Sequence, residues 1–134
     1  MNSIEHVNFI KAPVSEVYRA LVSETGLSAI WTPKLKVKPE EGHINEFDFD
    51  EKEITRMKVI QLTENERIEW KCVTSDPEWV DTSIIFELSE KDGLTQVILK
   101  HTDWNAITPF YRWCNYNWAL FLLRLKKYCE NLIK

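Results

Sequence analysis

Apolar and polar residues trade places every second position over most of this chain, and every third or fourth position over its last stretch. Ser3 to Lys11 sets Ile4, His6, Asn8 and Ile10 against Glu5, Val7 and Phe9, which predicts a first strand. Pro13 then opens a short helix at its favoured position, with Val17, Ala20 and Leu21 on the buried face and Glu16 in the first turn. Gly26 is expected to break that helix. A second stub follows from Leu27 to about Trp31, and Pro33 closes it. From Lys34 the period is two. Leu35 and Val37, Phe47 and Phe49, Met57 and Val59, Ile68, Trp70 and Cys72, Ile84, Phe86 and Leu88, and Val97, Leu99 and His101 each alternate, mostly with polar neighbours. Turn signals separate the runs at Glu41-Gly42, Glu64-Asn65-Glu66, Ser75-Asp76-Pro77 and Lys91-Asp92-Gly93. One apolar and one polar face per strand predicts an antiparallel sheet covered on one side.

The cover is expected from the stretch Thr108 to Lys134. Thr108 suits a cap and Pro109 the first helical position. Phe110, Cys114, Trp118, Phe121, Leu125, Tyr128 and Leu132 recur at helical spacing. Some 26 residues would give a rod of roughly 39 Å. The expected order is one strand, two short helices, six strands and one long helix, all in a single domain over residues 1–134. A single-layer sheet must bury its apolar face, and this helix alone is long enough to fill it. The sheet must curl around the rod, which leaves room for a cleft between the two.

Composition narrows the functions such a cleft can serve. The chain has 134 residues and a net charge of -4, which argues against a nucleic-acid partner. No apolar run approaches the roughly 18 residues of a membrane span, and Met1 to Phe9 is too polar for a signal peptide. Cytoplasmic residence is the expectation. Cys72, Cys114 and Cys129 form no disulfide framework and read as buried thiols. His6, His43 and His101 are scattered, so no metal is expected. With only Gly26, Gly42 and Gly93 there is no phosphate-cradling loop, and no cofactor is expected. Six Trp, six Phe and four Tyr point instead to a bulky core or a ring-walled cavity.

Several strings, taken in order, resemble one family. They are Ala12-Pro13, the helix Val17-Tyr18-Arg19-Ala20-Leu21, Trp31-Thr32, Arg67-Ile68-Glu69-Trp70, His101-Thr102-Asp103-Trp104, and Trp118 with Leu122, Leu125 and Lys126. The chain resembles the START-like (SRPBCC) superfamily, in the branch related to the activator of the 90-kDa heat-shock chaperone ATPase. Asn117 and Thr102-Asp103 depart from that pattern, where the branch often has Gly and Ser-Gly. The resemblance implies an α+β helix-grip fold: a seven-stranded antiparallel sheet wrapped on the C-terminal helix, with two short helices after the first strand. It also implies a ligand cavity in some members and a chaperone partner in others.

The leading expectation is a protein that binds an apolar, aromatic or lipid-like small molecule. Its expected walls are Phe47, Phe49, Met57, Trp70, Trp79, Phe86, Leu99, Trp104, Phe110, Cys114 and Phe121, with His101 and Asn117 as orienting groups. By strand parity His101 shares the inward face with Asp103, so a cyclase- or hydrolase-like acid–base pair is one alternative. The other alternative is a co-chaperone-like interaction module using the acidic outer face, from Glu46 to Glu53. Monomer and homodimer both stay open. An exposed edge strand, or Trp113 facing a partner, would serve a dimer.

Overall fold

A computed structural model describes residues 2–131. The elements run β1 (Asn2–Ile10), α1 (Val14–Val22), α2 (Glu24–Ile30), β2 (Leu35–Lys36), β3 (Ile44–Phe47), β4 (Thr55–Thr63), β5 (Arg67–Thr74), β6 (Ser83–Lys91), β7 (Leu94–Trp104) and α3 (Pro109–Cys129). The seven strands form one sheet in the order β1-β7-β6-β5-β4-β3-β2, and every neighbouring pair is antiparallel. This is the helix-grip architecture that the family resemblance implies, with the one-sided antiparallel sheet the periodicity predicts. The chain runs as a meander from β2 to β7, and β1 closes on β7 as the opposite edge.

The alternation works because only one sheet face is covered. Ile68, Trp70 and Cys72 of β5, Ile84 and Phe86 of β6, and Val97 and Leu99 of β7 are buried against Trp118, Phe121, Leu122 and Leu125 of α3. Thr108 caps α3 by accepting the Tyr111 backbone N–H at 3.0 Å. The helix has 21 residues rather than some 26, about 30 Å of rod. Leu132, expected on its buried face, lies outside the described residues. Side-chain bonds tie α3 to β1. Tyr111 Oη donates to Ser3 O at 2.8 Å and Lys126 Nζ to Phe9 O at 2.6 Å. Asn8 Nδ2 donates to Leu122 O at 3.1 Å, and His6 Nε2 meets Asn115 Oδ1 at 2.9 Å.

Gly26 does not break a helix. The first helix ends at Val22, and Ser23 caps the second by accepting the Gly26 N–H at 3.1 Å. Gly26 lies inside α2, pressed on α1. A Cβ there would come within 2.1 Å of the Ala20 carbonyl oxygen, so the residue is required by close helix approach. Phe49 is not in a strand, because β3 stops at Phe47 and Asp50 turns with φ 62°. Strand parity also fails at the end of β7. Asn2 faces Trp104 and Ile4 faces His101, so the β7 segment holds one extra residue there. Asp103 takes φ 70° and points into solvent, and Trp104 turns inward instead.

Candidate ligand cleft beside a sealed histidine

Trp31 is the hub from which the site is built. It follows directly on α2 and its ring lies within 4.6–6.2 Å of Phe47, Phe49, Trp70, Trp118 and Phe121. Thr32 holds it there by donating to the Asp48 carbonyl at 2.7 Å, which ties the helix stub to the loop after β3. Trp31 is half-buried, and beyond it a cleft of about 720 Å³ opens. Phe110, Trp113, Cys114, Asn117, Trp118, Phe121 and Arg124 of α3 make one flank of this cleft. Phe49 with Glu51, Lys52, Glu53 and Thr55 makes the other. The turn Ser75-Asp76-Pro77 and Trp79 close one end.

Trp79 is the partition between the cleft and the region behind it. Its ring stacks on Trp118 at 6.0 Å and 11°, and its indole N–H donates to Cys114 Sγ at 3.3 Å. Behind it sits His101, fully buried. The Trp118 indole N–H lies 3.0 Å from His101 Nδ1, and His101 Nε2 lies 2.8 Å from Thr82 Oγ1. An indole nitrogen can only donate, so Nδ1 is the acceptor and the imidazole proton sits on Nε2. That proton is donated to the Thr82 oxygen, and the Thr82 hydroxyl donates onward to the Trp79 carbonyl at 2.6 Å. Burial lowers the His101 pKa to about 3, so the ring stays neutral at physiological pH.

These facts correct the acid–base expectation. His101 has both nitrogens engaged and does not line the cleft. Its supposed partner Asp103 is exposed, because the extra residue in β7 rotates it off the inward face. His101 is therefore not an orienting group for a cleft ligand either. Phe47, Met57, Trp70, Phe86, Leu99 and Trp104 are likewise buried behind the cleft and do not line it. Of the expected wall residues, Phe49, Trp79, Phe110, Cys114, Asn117 and Phe121 do. Asn117 spends one amide N–H on the Trp113 carbonyl at 2.8 Å. Cys114 stays a thiol, since burial pushes its pKa up to about 11. Cys72 and Cys129, also buried, are pushed to about 12. The Trp104 indole N–H has no hydrogen-bond partner among the described residues, and the Tyr111 ring lies edge-on 5.0 Å from the Trp104 ring.

The sequence pattern does not mark Trp31, Thr55, Ser75 or the charged rim as cleft residues, and Trp118, which reads more readily as core packing, lines the cleft as well. Trp31 carried a signal, since a tryptophan ending a helix packed through Gly26 must project from a fixed base. The Ser75-Asp76-Pro77 turn was visible as a turn, but nothing local says which end of the sheet it closes.

The family described as Activator of Hsp90 ATPase homolog 1-like protein matches residues 11–130. The solution structure of the Aha1 dimer from Colwellia psychrerythraea is 33% identical, with TM-score 0.89 over 97% of each chain. Protein SSP2350 from Staphylococcus saprophyticus is 17% identical, with TM-score 0.81 over 99% of this chain and 95% of that one. DynU16, from the dynemicin biosynthetic locus, is also 17% identical at TM-score 0.81, and the match spans 97% of this chain but 48% of DynU16. The last two share the fold. No curated protein sequence matches. No described helix is long and apolar enough to cross a membrane, and among the described residues no group of three His, Cys, Asp or Glu could hold a metal ion.

Proposed function

The chain belongs to the Activator of Hsp90 ATPase homolog 1-like family, and from that premise we propose that it binds a small apolar or aromatic molecule in the cleft between α3 and the loop after β3. The observation that carries this reading is the cleft itself. It has a volume of about 720 Å³, with Trp31, Phe49, Trp79, Phe110 and Phe121 among its walls, inside the usual range for small-molecule sites. Half-buried rings offer large contact area at low entropic cost and accept flat ligands in several orientations. Asn117, Thr55 and Ser75 supply neutral polar groups at the cleft walls.

Native mass spectrometry of gently purified protein tests the proposal, followed by titration with a naphthalene-type fluorescent probe. A retained small molecule, or probe binding weakened at least about tenfold by Trp79→Ala, supports it. A protein that carries no ligand and binds no such probe refutes it. The family match favours one second reading, a chaperone partner. In that case a purified 90-kDa chaperone would bind the protein with the cleft empty, and a saturating probe would not compete.

A further inference from the structure

The outward side of α3 is apolar and basic. At about 100° per residue, Trp113, Tyr116, Leu120 and Leu123 fall within one stripe about 80° wide. Trp113 is 59% exposed, Tyr116 58% and Leu123 43%, and the Trp113 and Tyr116 rings lie 6.1 Å apart. Arg112 borders this stripe on one side and Arg124 on the other, and Lys127 lies at its C-terminal end, all three exposed. Among the described residues none of the three has an ion pair within 4.0 Å. The helix itself holds no acidic residue. Carboxylates near it stand off the stripe. Glu78 accepts the Thr108 hydroxyl at 2.6 Å, and Glu130 is drawn toward β1 by the Lys126 ammonium at 3.0 Å and the Lys11 N–H at 2.7 Å. Glu51, Lys52, Glu53 and Asp76 line the cleft instead, as do Cys114 and Phe121. Those two helix residues lie roughly 120–140° round from the middle of the stripe, so the acidic loop is set to one side of it.

We propose that this face docks α3 side-on to an anionic lipid surface, with the stripe seated among the headgroups and Arg112, Arg124 and Lys127 on their phosphates. The chemistry of the stripe and its borders selects that occupant. Each polar side chain there is a hydrogen-bond donor, and only the Tyr116 oxygen also accepts. A headgroup layer offers phosphate and ester acceptors on every side, whereas a protein surface also presents donors that would go unanswered here. Tryptophan and tyrosine favour that layer, and bordering Arg and Lys can lay their stems along it. From Arg112 to Lys127 the face is a single convex rod about 22 Å long, which suits shallow contact with a flat surface. Charge sets the orientation. The chain carries -4 and α3 carries +4, from Arg112, Arg124, Lys126 and Lys127, so the rest carries -8. Evenly spread, a net negative charge would be repelled. Screening confines the surface's field to about 8 Å, so the protein can approach when its basic helix leads. The inference does not depend on what the cleft binds.

Co-sedimentation of the full chain with lipid vesicles tests it, with thermal midpoints confirming that each variant folds. Vesicles containing about one-third phosphatidylserine should bind it at least about tenfold more tightly than pure phosphatidylcholine, and less so as salt rises. Trp113 and Arg124 also line the cleft, so the variants are made elsewhere on the face. Arg112→Glu with Lys127→Glu, and Tyr116→Ala with Leu123→Ala, should each weaken binding to the anionic vesicles at least about tenfold. Arg112→Lys with Lys127→Arg should keep it within about threefold. Binding of the fluorescent probe in the cleft should be unchanged in all of them, which separates this test from that of the cleft. Equal binding to both kinds of vesicle, binding to neither, or binding indifferent to both weakening pairs would overturn the proposal. So would poly-glutamate bound as tightly as the vesicles, which would assign the face to an acidic protein. Self-association lost in Tyr116→Ala with Leu123→Ala, without vesicle binding, would assign it to a second copy and overturn it too.

Discussion

His101 and Trp79 lie 4.8 Å apart, ring to ring, yet they belong to two differently finished regions of one aromatic core. On the His101 side each polar atom of the relay is answered, from the Trp118 N–H through the imidazole and the Thr82 hydroxyl to the Trp79 carbonyl. On the Trp79 side the same kinds of ring face a cleft. The two regions share α3 and much of their composition. What separates them is packing depth: one is filled, with the Trp104 indole N–H its unanswered buried group, and the other is walled but not filled. A buried histidine is thus a structural pin here, and half-buried tryptophans are the groups left with surface to offer.

The largest blow to this contrast should come from Trp118→Ala, which removes a ring that both regions share and leaves His101 Nδ1 without its donor. We expect a loss of about 4 kcal/mol in denaturant unfolding. A loss below about 1 kcal/mol would mean the two regions are not one packed unit. Gly26→Ala acts from the cleft side, since its methyl must displace the Ala20 backbone and with it the helix that aims Trp31. About 2 kcal/mol is expected, with a change in tryptophan fluorescence.

A titration sharpens the sealed side. The folded His101 pKa near 3 lies below the value near 6.5 of an unfolded histidine. The unfolded chain therefore binds more protons between those values, and stability rises with pH across the window. The His101 contribution should be fully present above about pH 6.5 and should drain away on acidification toward about pH 3, by up to about 1.4 kcal/mol per unit. Subtracting the His101→Asn curve from the wild-type curve isolates it, because carboxylates common to both cancel. A flat difference would show that the ring is hydrated in solution. The smallest effect should be that of Trp113→Ala. Its ring flanks the cleft but is 59% exposed, so unfolding stability should move by less than about 0.5 kcal/mol.

The alternation of Ile68, Trp70 and Cys72, and of Val97, Leu99 and His101, revealed the sheet and its covered face because a strand's period of two is rigid. It revealed which face each residue takes, but not how far along the sheet the packing closes. That is why Trp70 and Phe86 were expected at a ligand and lie behind it, and why Trp31 went unnoticed. Parity broke at Asp103 for a local reason: a single residue with φ 70° inserts an extra step that no apolar pattern marks. His101 was legible as an inward polar residue. Its partners Thr82 and Trp118 were not, since they come from a turn and a helix 19 and 17 positions away.

The bonds from Tyr111 and Lys126 to the Ser3 and Phe9 carbonyls have a consequence for the protein's life in a crowded cell. They occupy part of the row of backbone groups that would otherwise recruit a foreign strand, and the opposite border, β2, is two residues long. A growing fibril thus meets a partly occupied border on one side and a very short one on the other. Association through added strands is thereby disfavoured at both borders.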